Sequence, residues 1–408
     1  MSFEYENLEN LNIQLIDGDR GKNYPKQSEF QESGYCLFLS AKNVTKSGFQ
    51  FSEKVYVSEE RHNLLRAGKL ERYDIVLTTR GTIGNVAFYD NSVLDDVVRV
   101  NSGMLILRAN TTVWNPRFLY FLFTSKIIQE QISSLTSGSA VPQLPAKDLR
   151  KFLLPKVPMG VQNYIVKVIG DLSDKLKIND QTNQTLEEMA QAIFKSWFVD
   201  FDPVKAKMNG EQPEGMDAAT ASLFPEKLVE SELGLIPEGW ESKQLKDVLE
   251  LAYGKALKKT DRVAGGVPVY GSGGLTGYHN QSLVEGPGII VGRKGTVGSV
   301  YWEPRAFYPI DTVFYVKPRA GYSLKYCHLV LQNLGLKDMN TDAAVPGLNR
   351  NNAYRLDVVT PSEAVLDKFE EIMQSFQSKV DANNAQNSNL ESLRDTLLPK
   401  LLSGEVEL

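Results

Sequence analysis

Two short stretches of the sequence combine a basic residue, glycines and a threonine, the residue types from which phosphate-binding turns are built. The stretches are Arg80-Gly81-Thr82-Ile83-Gly84 and Lys294-Gly295-Thr296-Val297-Gly298. Glycine lets backbone N–H groups face outward, threonine adds a hydroxyl donor, and the basic side chain adds positive charge. A tight hairpin also requires glycine, and it is the ordinary explanation for one such stretch. Because the stretch recurs with its basic residue retained, we predict that both turns contact phosphate.

Further basic and aromatic residues surround the second stretch. Loops that mix basic side chains, aromatic rings and flexible backbone are common in nucleic-acid-binding proteins, although solvated turns share this composition. The candidate DNA-binding residues are Arg80, Gly81, Thr82, Gly84, Lys255, Lys258, Lys259, Tyr270, Ser272, Arg293, Lys294, Gly295, Thr296 and Gly298.

Signatures of catalysis are few in this sequence. It contains no GxxxxGK[ST] phosphate loop. His62, His279 and His328 are too scattered for a metal site or a charge-relay triad. Cys36 and Cys327 stand in no CxxC spacing, which argues against a thiolate zinc site or a disulfide framework. We therefore predict a non-catalytic chain with no metal site, and packing as the role of the neighbours Cys327 and His328.

The overall charge limits how the glycine turns could bind DNA. The 408 residues include 45 Lys and Arg against 50 Asp and Glu, for a net charge of -5. This acidic balance excludes a general polycationic coat for nucleic acid, so DNA binding must rest on local clusters. At this length we expect two or more domains. The acidic first residues are unlike a signal peptide and no apolar run reaches about 18 residues, so we expect a cytoplasmic protein without a membrane span.

The elements that would position these turns occur twice. Each turn follows an apolar run, DIVLTT or GIIVG, and the motif Ala140-Val-Pro-Gln-Leu144 reappears 204 residues later as Ala344-Val-Pro-Gly-Leu348. Short apolar runs bounded by Gly, Asn and Pro predict strands. Asn115 followed by Pro116 predicts a helix start, with helices near Pro116 to Ile132 and near Ser323 to Leu334.

A long segment with helical periodicity ends each repeat. Its apolar residues are three or four positions apart, which is the spacing of a coiled-coil seam, and asparagines replace them in the middle of the segment. A helix lying on its own domain would show the same spacing, but two matching seams favour an antiparallel pair, each helix about 55 Å long. Asparagine in a seam lowers stability and can fix register. The helix-pair seam is predicted at Ile165, Leu172, Asn179, Asn183, Leu186, Trp197, Phe369, Phe376, Asn383, Asn387, Leu390 and Leu401.

Together these patterns predict an α+β fold with two pseudo-repeated globular domains. The two domains are joined by two long antiparallel helices that form a coiled-coil-like spacer. The predicted boundaries are 1–158 for the first domain, 159–200 for the central helix, 201–239 for a linker rich in Pro, Gly and acids, 240–361 for the second domain and 362–408 for the C-terminal helix.

As a set, these features resemble the specificity (S) subunits of type I restriction-modification systems. The likeness covers nearly the whole chain: the GTIG and GTVG turns, the AVPQL and AVPGL motifs, the linker phrase PEGMDAATASLFP, and the closing phrases FKSWFVDFDP and LLPKLLSGEVEL. One difference is that the second half opens with Trp240, whereas the first half begins at MSFEYENL. We therefore expect the first domain to be shorter at that edge.

The resemblance implies two target recognition domains, each reading one half of a bipartite target in double-stranded DNA. It also implies helices that dock two methyltransferase (M) subunits and, through them, restriction (R) subunits. S-adenosylmethionine, ATP and Mg²⁺ would then belong to those partners. A spacer of about 55 Å corresponds to roughly 16 base pairs, and sequence reading is expected in the segments that differ most between the halves, 89–103 and 265–288.

Two other functions compete with a DNA-reading scaffold. An orphan or decoy specificity subunit would bind partners without directing modification. An autonomous nuclease or methyltransferase would need catalytic motifs that the sequence lacks.

Overall fold

The structure is a computed structural model that describes residues 3–136, 143–339, 347–403 and 405. The chain forms two compact units. Unit 1 comprises residues 1–179 together with 384–408, and unit 2 comprises residues 180–383. The chain therefore passes from unit 1 to unit 2 along one long helix and returns along another.

Unit 1 is built around a four-stranded antiparallel sheet. The strands of the whole unit are β1 (Tyr5–Asn7), β2 (Ile13–Asp17), β3 (Cys36–Leu39), β4 (Val44–Thr45), β5 (Gly48–Phe49), β6 (Tyr56–Val57), β7 (Ile75–Thr78), β8 (Val86–Phe88), β9 (Val98–Val100), β10 (Met104–Ala109) and β11 (Leu153–Pro155). Its helices are α1 (Glu59–Leu64), α2 (Pro116–Thr124), α3 (Lys126–Thr136), α4 (Ala146–Leu149) and the start of α5 (Met159–Phe198). The large sheet has the order β2-β10-β7-β8, and a smaller sheet has the order β6-β3-β9 with β3 and β9 parallel.

The large sheet of unit 1 is covered on both faces, because successive side chains of a strand point to opposite sides. Ile75 and Leu77 of β7 pack in the same core as residues of α2 and α3. Val76, between them, packs with residues of β3 and β9. Burial on both faces accounts for the uninterrupted apolar run that ends in the first glycine turn.

Unit 2 repeats this topology. Its strands are β12 (Leu228–Ser231), β13 (Gly234–Pro237), β14 (Glu241–Gln244), β15 (Leu249–Tyr253), β16 (Val267–Gly271), β17 (Gly274–His279), β18 (Gly288–Gly292), β19 (Val300–Glu303), β20 (Tyr308–Pro309), β21 (Val313–Pro318) and β22 (Asp357–Thr360). Its helices are the end of α5, α6 (Asp202–Met208), α7 (Ala218–Ser222), α8 (Leu245–Val248), α9 (Leu324–Asn333), α10 (Arg350–Tyr354) and the start of α11 (Glu363–Ser403). The large sheet has the order β15-β21-β18-β19 and the small one β17-β16-β20, with β16 and β20 parallel. The predicted α+β class and its duplication are confirmed.

The long helices run antiparallel within each unit. In unit 1, Ile165 at the start of α5 shares a core with Leu401 near the end of α11. In unit 2, Trp197 near the end of α5 lies 5.9 Å, between ring centroids, from Phe369 near the start of α11. The helices have 40 and 41 residues. Of the predicted seam, Ile165, Asn179, Trp197, Phe369, Asn383 and Leu401 are buried, and Leu172, Asn183, Leu186, Phe376, Asn387 and Leu390 are half-buried.

The seam asparagines bond across the helix pair. In unit 1, the Asn179 side-chain amide donates to Asn387 Oδ1 at 2.8 Å and to Gln386 Oε1 at 2.9 Å. In unit 2, the Asn383 amide donates to Asn183 Oδ1 at 2.8 Å. These bonds pair the buried side-chain amides of Asn179 and Asn383 with acceptors on the facing helix.

One predicted helix is divided. The expected helix near Pro116 to Ile132 consists of α2 and α3, separated at Ser125, whose backbone is extended (φ -70°, ψ 155°). The side chain of this buried serine donates to the Leu122 carbonyl at 2.6 Å. The expected helix near Ser323 to Leu334 is confirmed as α9, with Ser323 as its N-cap.

The predicted linker is folded in the structure. Residues 201–239 contain α6, α7 and the β12–β13 hairpin. Val204 and Phe224 are buried in the core of unit 2, and Phe224 packs edge-on to Trp197 at 5.0 Å between ring centroids. A few apolar residues therefore anchor this segment despite its Pro, Gly and acidic composition.

The first domain is not shorter at its N-terminal edge, contrary to the expectation from sequence. β1 pairs antiparallel with β11 in unit 1, as β14 pairs with β22 in unit 2. Phe3 packs against the core of unit 1, and Trp240, before β14, is buried in the core of unit 2. An aromatic residue thus precedes the equivalent strand in both units, and the different neighbouring residues conceal this from sequence comparison.

Candidate nucleic-acid interface

The two glycine turns have the same backbone course. The first follows β7 and the second follows β18. The Gly84 N–H donates to the Thr78 carbonyl at 3.0 Å, and the Gly298 N–H donates to the Gly292 carbonyl at 2.9 Å. Gly81, Gly84, Gly295 and Gly298 all have positive φ, between 68° and 89°. Only glycine adopts this conformation at little cost, which explains why the glycines recur at both places.

The two glycines of each turn have different surroundings. Gly84 and Gly298 are buried, and a Cβ at Gly298 would lie 2.2 Å from the Leu336 backbone. Gly81 is exposed, with nothing within 4 Å of a Cβ there. The second glycine of each turn thus allows close packing, whereas the exposed residues are Arg80, Gly81 and Thr82 in unit 1 and Lys294, Gly295 and Thr296 in unit 2.

Each turn is attached to the segment that follows the repeated Ala-Val-Pro motif. The Leu144 N–H donates to the Thr79 carbonyl at 3.0 Å, and the Leu348 N–H donates to the Arg293 carbonyl at 2.8 Å. Bridges pair Arg80 with Gln143 and Lys294 with Gly347. The motif residues 140–142 and 344–346 lie outside the described residues. The repeated motif therefore leads into a backbone contact that supports the basic residue of each turn.

In unit 2, the β16–β17 hairpin lies beside the turn. The Ser272 carbonyl accepts hydrogen bonds from Ser299 Oγ at 2.7 Å and from the Tyr301 hydroxyl at 3.2 Å. The Ser272 hydroxyl oxygen lies 3.3 Å from where a Cβ of Gly295 would be. The fold thus places Ser272 and the second turn together, as the candidate site requires.

Tyr270 is held by an internal contact. Its hydroxyl donates to Glu303 Oε2 at 2.9 Å. Burial is the larger cause, and the hydrogen bond to that carboxylate the second, that raises the pKa of Tyr270 to about 12. The Nε of Arg305 donates to the other oxygen of Glu303 at 3.0 Å. With the hydrogen of its hydroxyl occupied, Tyr270 has no side-chain donor left for a phosphate.

The three candidate lysines occupy the segment between β15 and β16. Lys255, Lys258 and Lys259 are exposed, and none forms an ion pair with a described residue. The Lys255 N–H donates to the Pro309 carbonyl at 3.0 Å, which fixes its backbone. No described contact joins Lys258 or Lys259 to the glycine turn, so their participation stays a prediction.

Sequence patterns did not identify two further residues near the second turn, Tyr253 and Arg350. The Arg293 and Arg350 guanidinium carbons lie 4.9 Å and 4.6 Å from the centre of the Tyr253 ring. Tyr253 ends β15 and Arg350 begins α10, so they are distant in sequence and only the fold unites them. The one sequence signal is that Arg350 directly follows Asn349, the N-cap of α10.

The equivalent surface of unit 1 has a different charge pattern. A shallow cavity of about 60 Å³ there is lined by Asp17, Arg20, Thr79 and Arg80, among others. Asp17 and Arg20 form an ion pair at 2.8 Å. The ion pair neutralises the charge of Arg20, whereas Arg293 and Arg350 in unit 2 have no described ion-pair partner, so the two turns have similar backbones in unequal electrostatic settings.

Cys327 and His328 are neighbours in α9 and both are buried. Burial raises the pKa of the Cys327 thiol to about 12 and lowers the pKa of His328 to about 4, with the Lys325 charge contributing to the His328 shift. Among the described residues, no three His, Cys, Asp or Glu side chains are grouped so as to hold a metal ion. The described helices include none that is long and apolar enough to cross a membrane.

Comparison with known proteins agrees with the duplicated architecture. The sequence matches the family described as "Type I restriction modification DNA specificity domain" over residues 12–188 and again over 237–391. The HindI specificity subunit of Haemophilus influenzae is 27% identical, with 95% of this chain and 98% of that protein covered. The MjaIX specificity subunit of Methanocaldococcus jannaschii is 24% identical over 89% of this chain and 86% of that protein.

A solved structure has the same fold. The S subunit of a type I restriction-modification system from M. genitalium has a TM-score of 0.52 at 18% identity, with 98% of this chain and 96% of that chain covered. A DNA-recognition module that occurs twice, with both copies sharing a pair of long helices, defines the class of this protein. The chain belongs to the type I restriction-modification DNA specificity family, whose members recognise DNA sequence and are not themselves the catalytic subunits.

Proposed function

We propose that this chain selects the bipartite DNA sequence on which a type I restriction-modification complex acts. Each recognition domain reads one half of the target, and the exposed basic turn of that domain holds the DNA backbone. The observation that carries the proposal is the recurrence of one exposed turn, Arg80-Gly-Thr and Lys294-Gly-Thr, at the same place in two units of one topology. Phosphate contacts fix where a protein sits on a duplex, and contacts to base edges then read the sequence.

The proposal assigns the chemistry to partner subunits. Two methyltransferase subunits dock on α5 and α11, and restriction subunits join through them. S-adenosylmethionine, ATP and Mg²⁺ act on those partners, and the complex works in the cytoplasm.

The test is adenine methylation directed by the chain. The chain is purified with its methyltransferase partner and incubated with a library of random duplexes, and the methylated positions are sequenced. We expect methylation within one motif of two parts separated by a fixed number of base pairs.

Replacing residues 265–288 in unit 2 should change one half of that motif and leave the other half intact. Methylation without a bipartite preference would refute the proposal. Partner binding without sequence-selective retention of DNA would favour an orphan or decoy subunit instead.

A further inference from the structure

Tyr253 is an exposed aromatic platform at the end of β15. The residue is 49% exposed. Two guanidinium carbons lie within 5 Å of its ring centre, inside the range of about 6 Å for cation–π attraction. The ring also packs against Phe314 at 5.1 Å between centroids. Because these two cations share one ring, they repel each other, and no acidic side chain among the described residues forms an ion pair with either.

Arg350 is the less committed of the two arginines. Arg293 donates one guanidinium hydrogen to the Asp311 carbonyl, with Nη1 at 2.9 Å from that oxygen. The buried Nε of Arg350 has no hydrogen-bond partner among the described residues. A guanidinium has five N–H donors, and leaving a buried one unpaired costs free energy. The buried Nε is out of reach of a ligand, but the terminal nitrogens of Arg350 are not among the buried unpaired atoms and have no described hydrogen bond, so these donors are open to a ligand.

The position of Arg350 is nonetheless well defined. Its guanidinium carbon lies 5.7 Å from the centre of the Tyr354 ring. The Tyr354 hydroxyl oxygen accepts a hydrogen bond from the Leu251 N–H at 2.9 Å, which ties α10 to β15. The two tyrosine rings thus hold the guanidinium at the ring that Arg293 also contacts. Ordering its side chain before binding lowers the entropic cost of a contact.

The equivalent surface of unit 1 lacks this arrangement of two tyrosines and an arginine. Asp17 pairs with Leu105 between β2 and β10, as Tyr253 pairs with Phe314 between β15 and β21. A carboxylate therefore stands in the place of the aromatic platform. Ala146, which begins the corresponding short helix α4, takes the position of Arg350, and the nearby Arg20 is in an ion pair with Asp17.

We propose that Arg350, held by Tyr253 and Tyr354, binds a phosphate of the DNA backbone, and that this contact belongs to unit 2 alone. A phosphate provides oxygens for several N–H donors and a charge that relieves the repulsion between Arg293, Lys294 and Arg350. This inference rests on the function proposed above. It makes the two recognition domains unequal, because unit 2 supplies more of the sequence-independent affinity.

The test uses the full chain in complex with its methyltransferase partner. Binding is measured by fluorescence anisotropy over a range of salt concentrations, on a duplex carrying the methylated motif and on a scrambled duplex. Arg350→Ala should weaken binding to both duplexes about tenfold and reduce the slope of log K against log salt by about one. The methylated motif should not change, because phosphate contacts carry no sequence information.

Two variants of the platform serve as matched controls. Tyr253→Phe keeps the ring, so affinity should equal that of the original chain. Tyr253→Leu removes the ring that holds Arg350 and Arg293, and should weaken binding as Arg350→Ala does. Thermal unfolding of each variant shows whether it is folded, and Arg350→Gln, which retains the side-chain stem, replaces Arg350→Ala if that variant unfolds.

The possible results separate this inference from the proposed function. An original chain that does not distinguish the two duplexes refutes the proposed function. If the original chain distinguishes the two duplexes but Arg350→Ala leaves affinity and salt slope unchanged, only the inference about Arg350 is overturned. A changed motif, or weaker binding to the motif duplex alone, overturns the phosphate assignment and makes Arg350 a base-reading residue.

Discussion

At each glycine turn, one glycine faces solvent and the other faces the interior of its unit. A methyl group at Gly298 would meet the Leu336 backbone at 2.2 Å, whereas a methyl group at Gly81 has open space. Since both residues have positive φ, an alanine at either position bears the cost of that conformation. The two positions therefore separate the cost of conformation from the cost of packing.

Gly298→Ala should lower the free energy of unfolding by at least about 3 kcal/mol, because backbone atoms must move to admit the methyl group. Gly81→Ala should cost only about 1 kcal/mol, from backbone conformation alone. Urea denaturation of the two variants measures both values. Equal losses would show that the second glycine of the turn is not a packing position.

Lys294 contributes charge without a described ion-pair partner. We expect Lys294→Ala to weaken DNA binding by the complex in a salt-dependent way and to leave the chosen sequence unchanged, because phosphate contacts position a duplex without specifying it. Binding isotherms at several salt concentrations, together with sequencing of the methylated motif, test this. An altered motif would mean that the turn reads bases.

His328 makes the stability of unit 2 depend on pH. It is buried beside Trp302, and its folded pKa of about 4 lies below the ordinary value of 6.5. Because the unfolded chain takes up the proton first, the stability from burying neutral His328 is present above pH 6.5 and lost as the pH falls toward 4.

The loss amounts to at most about 3 kcal/mol. His328→Leu should flatten the fall in unfolding free energy between pH 6.5 and 4 relative to the original chain. Urea unfolding of both proteins at each pH gives the difference, in which the contributions of shared carboxylates cancel. Parallel pH profiles would contradict the assignment.

At the scale of elements, the asparagine pairs mark the middle of the long helices. Asn383 is buried and donates to Asn183. Asn183→Leu removes that acceptor, so we expect the fold to persist with a loss of about 1–3 kcal/mol in unfolding free energy. The double variant Asn183→Leu with Asn383→Leu should recover this stability, since two apolar residues leave no buried amide unpaired.

Asn183→Leu should loosen the register of the helix pair because it removes the polar contact that favours one alignment. The double variant should do so as well, because an apolar pair fits more than one alignment. The measurement is the number of base pairs between the two halves of the methylated motif. A single, unchanged spacing in the double variant would show that the asparagines do not set the register.

The helices and the duplication were predictable, whereas the short elements and part of the site were not. Apolar spacing of three and four over many turns predicts a helix from about Gln162 to Phe198, close to the observed Met159–Phe198. The break at Ser125 and the folding of residues 201–239 depend on tertiary contacts that no local pattern reveals. The turns were found because they repeat, but Tyr253 and Arg350 have no counterparts in the other half.

At the scale of the whole molecule, unit 1 is assembled from two segments of the chain and unit 2 from one. Leu398, Leu401 and Leu402 of α11 belong to the same core as Ile165 and Ile169 of α5. Removing residues 384–408 should therefore expose apolar surface in unit 1 and destabilise it, while the core of unit 2 keeps all its residues.

Hydrogen exchange followed by mass spectrometry on the truncated chain should show faster exchange in β7 and β10 and unchanged exchange in β18 and β21. The full-length chain is the control. Equal protection of the two large sheets after truncation would contradict the division of the chain into these units.

Because unit 1 is assembled from two segments, its folding during synthesis on the ribosome differs from that of unit 2. Residues 180–383 emerge as one uninterrupted segment, so unit 2 can complete its core while the apolar face of α5 around Ile165 still awaits α11. During that interval the first-made domain is the unfinished one, with an open hydrophobic seam that chaperones or a second nascent chain can occupy. The core of the copy translated first thus depends on residues of α11 that are translated after the whole of unit 2.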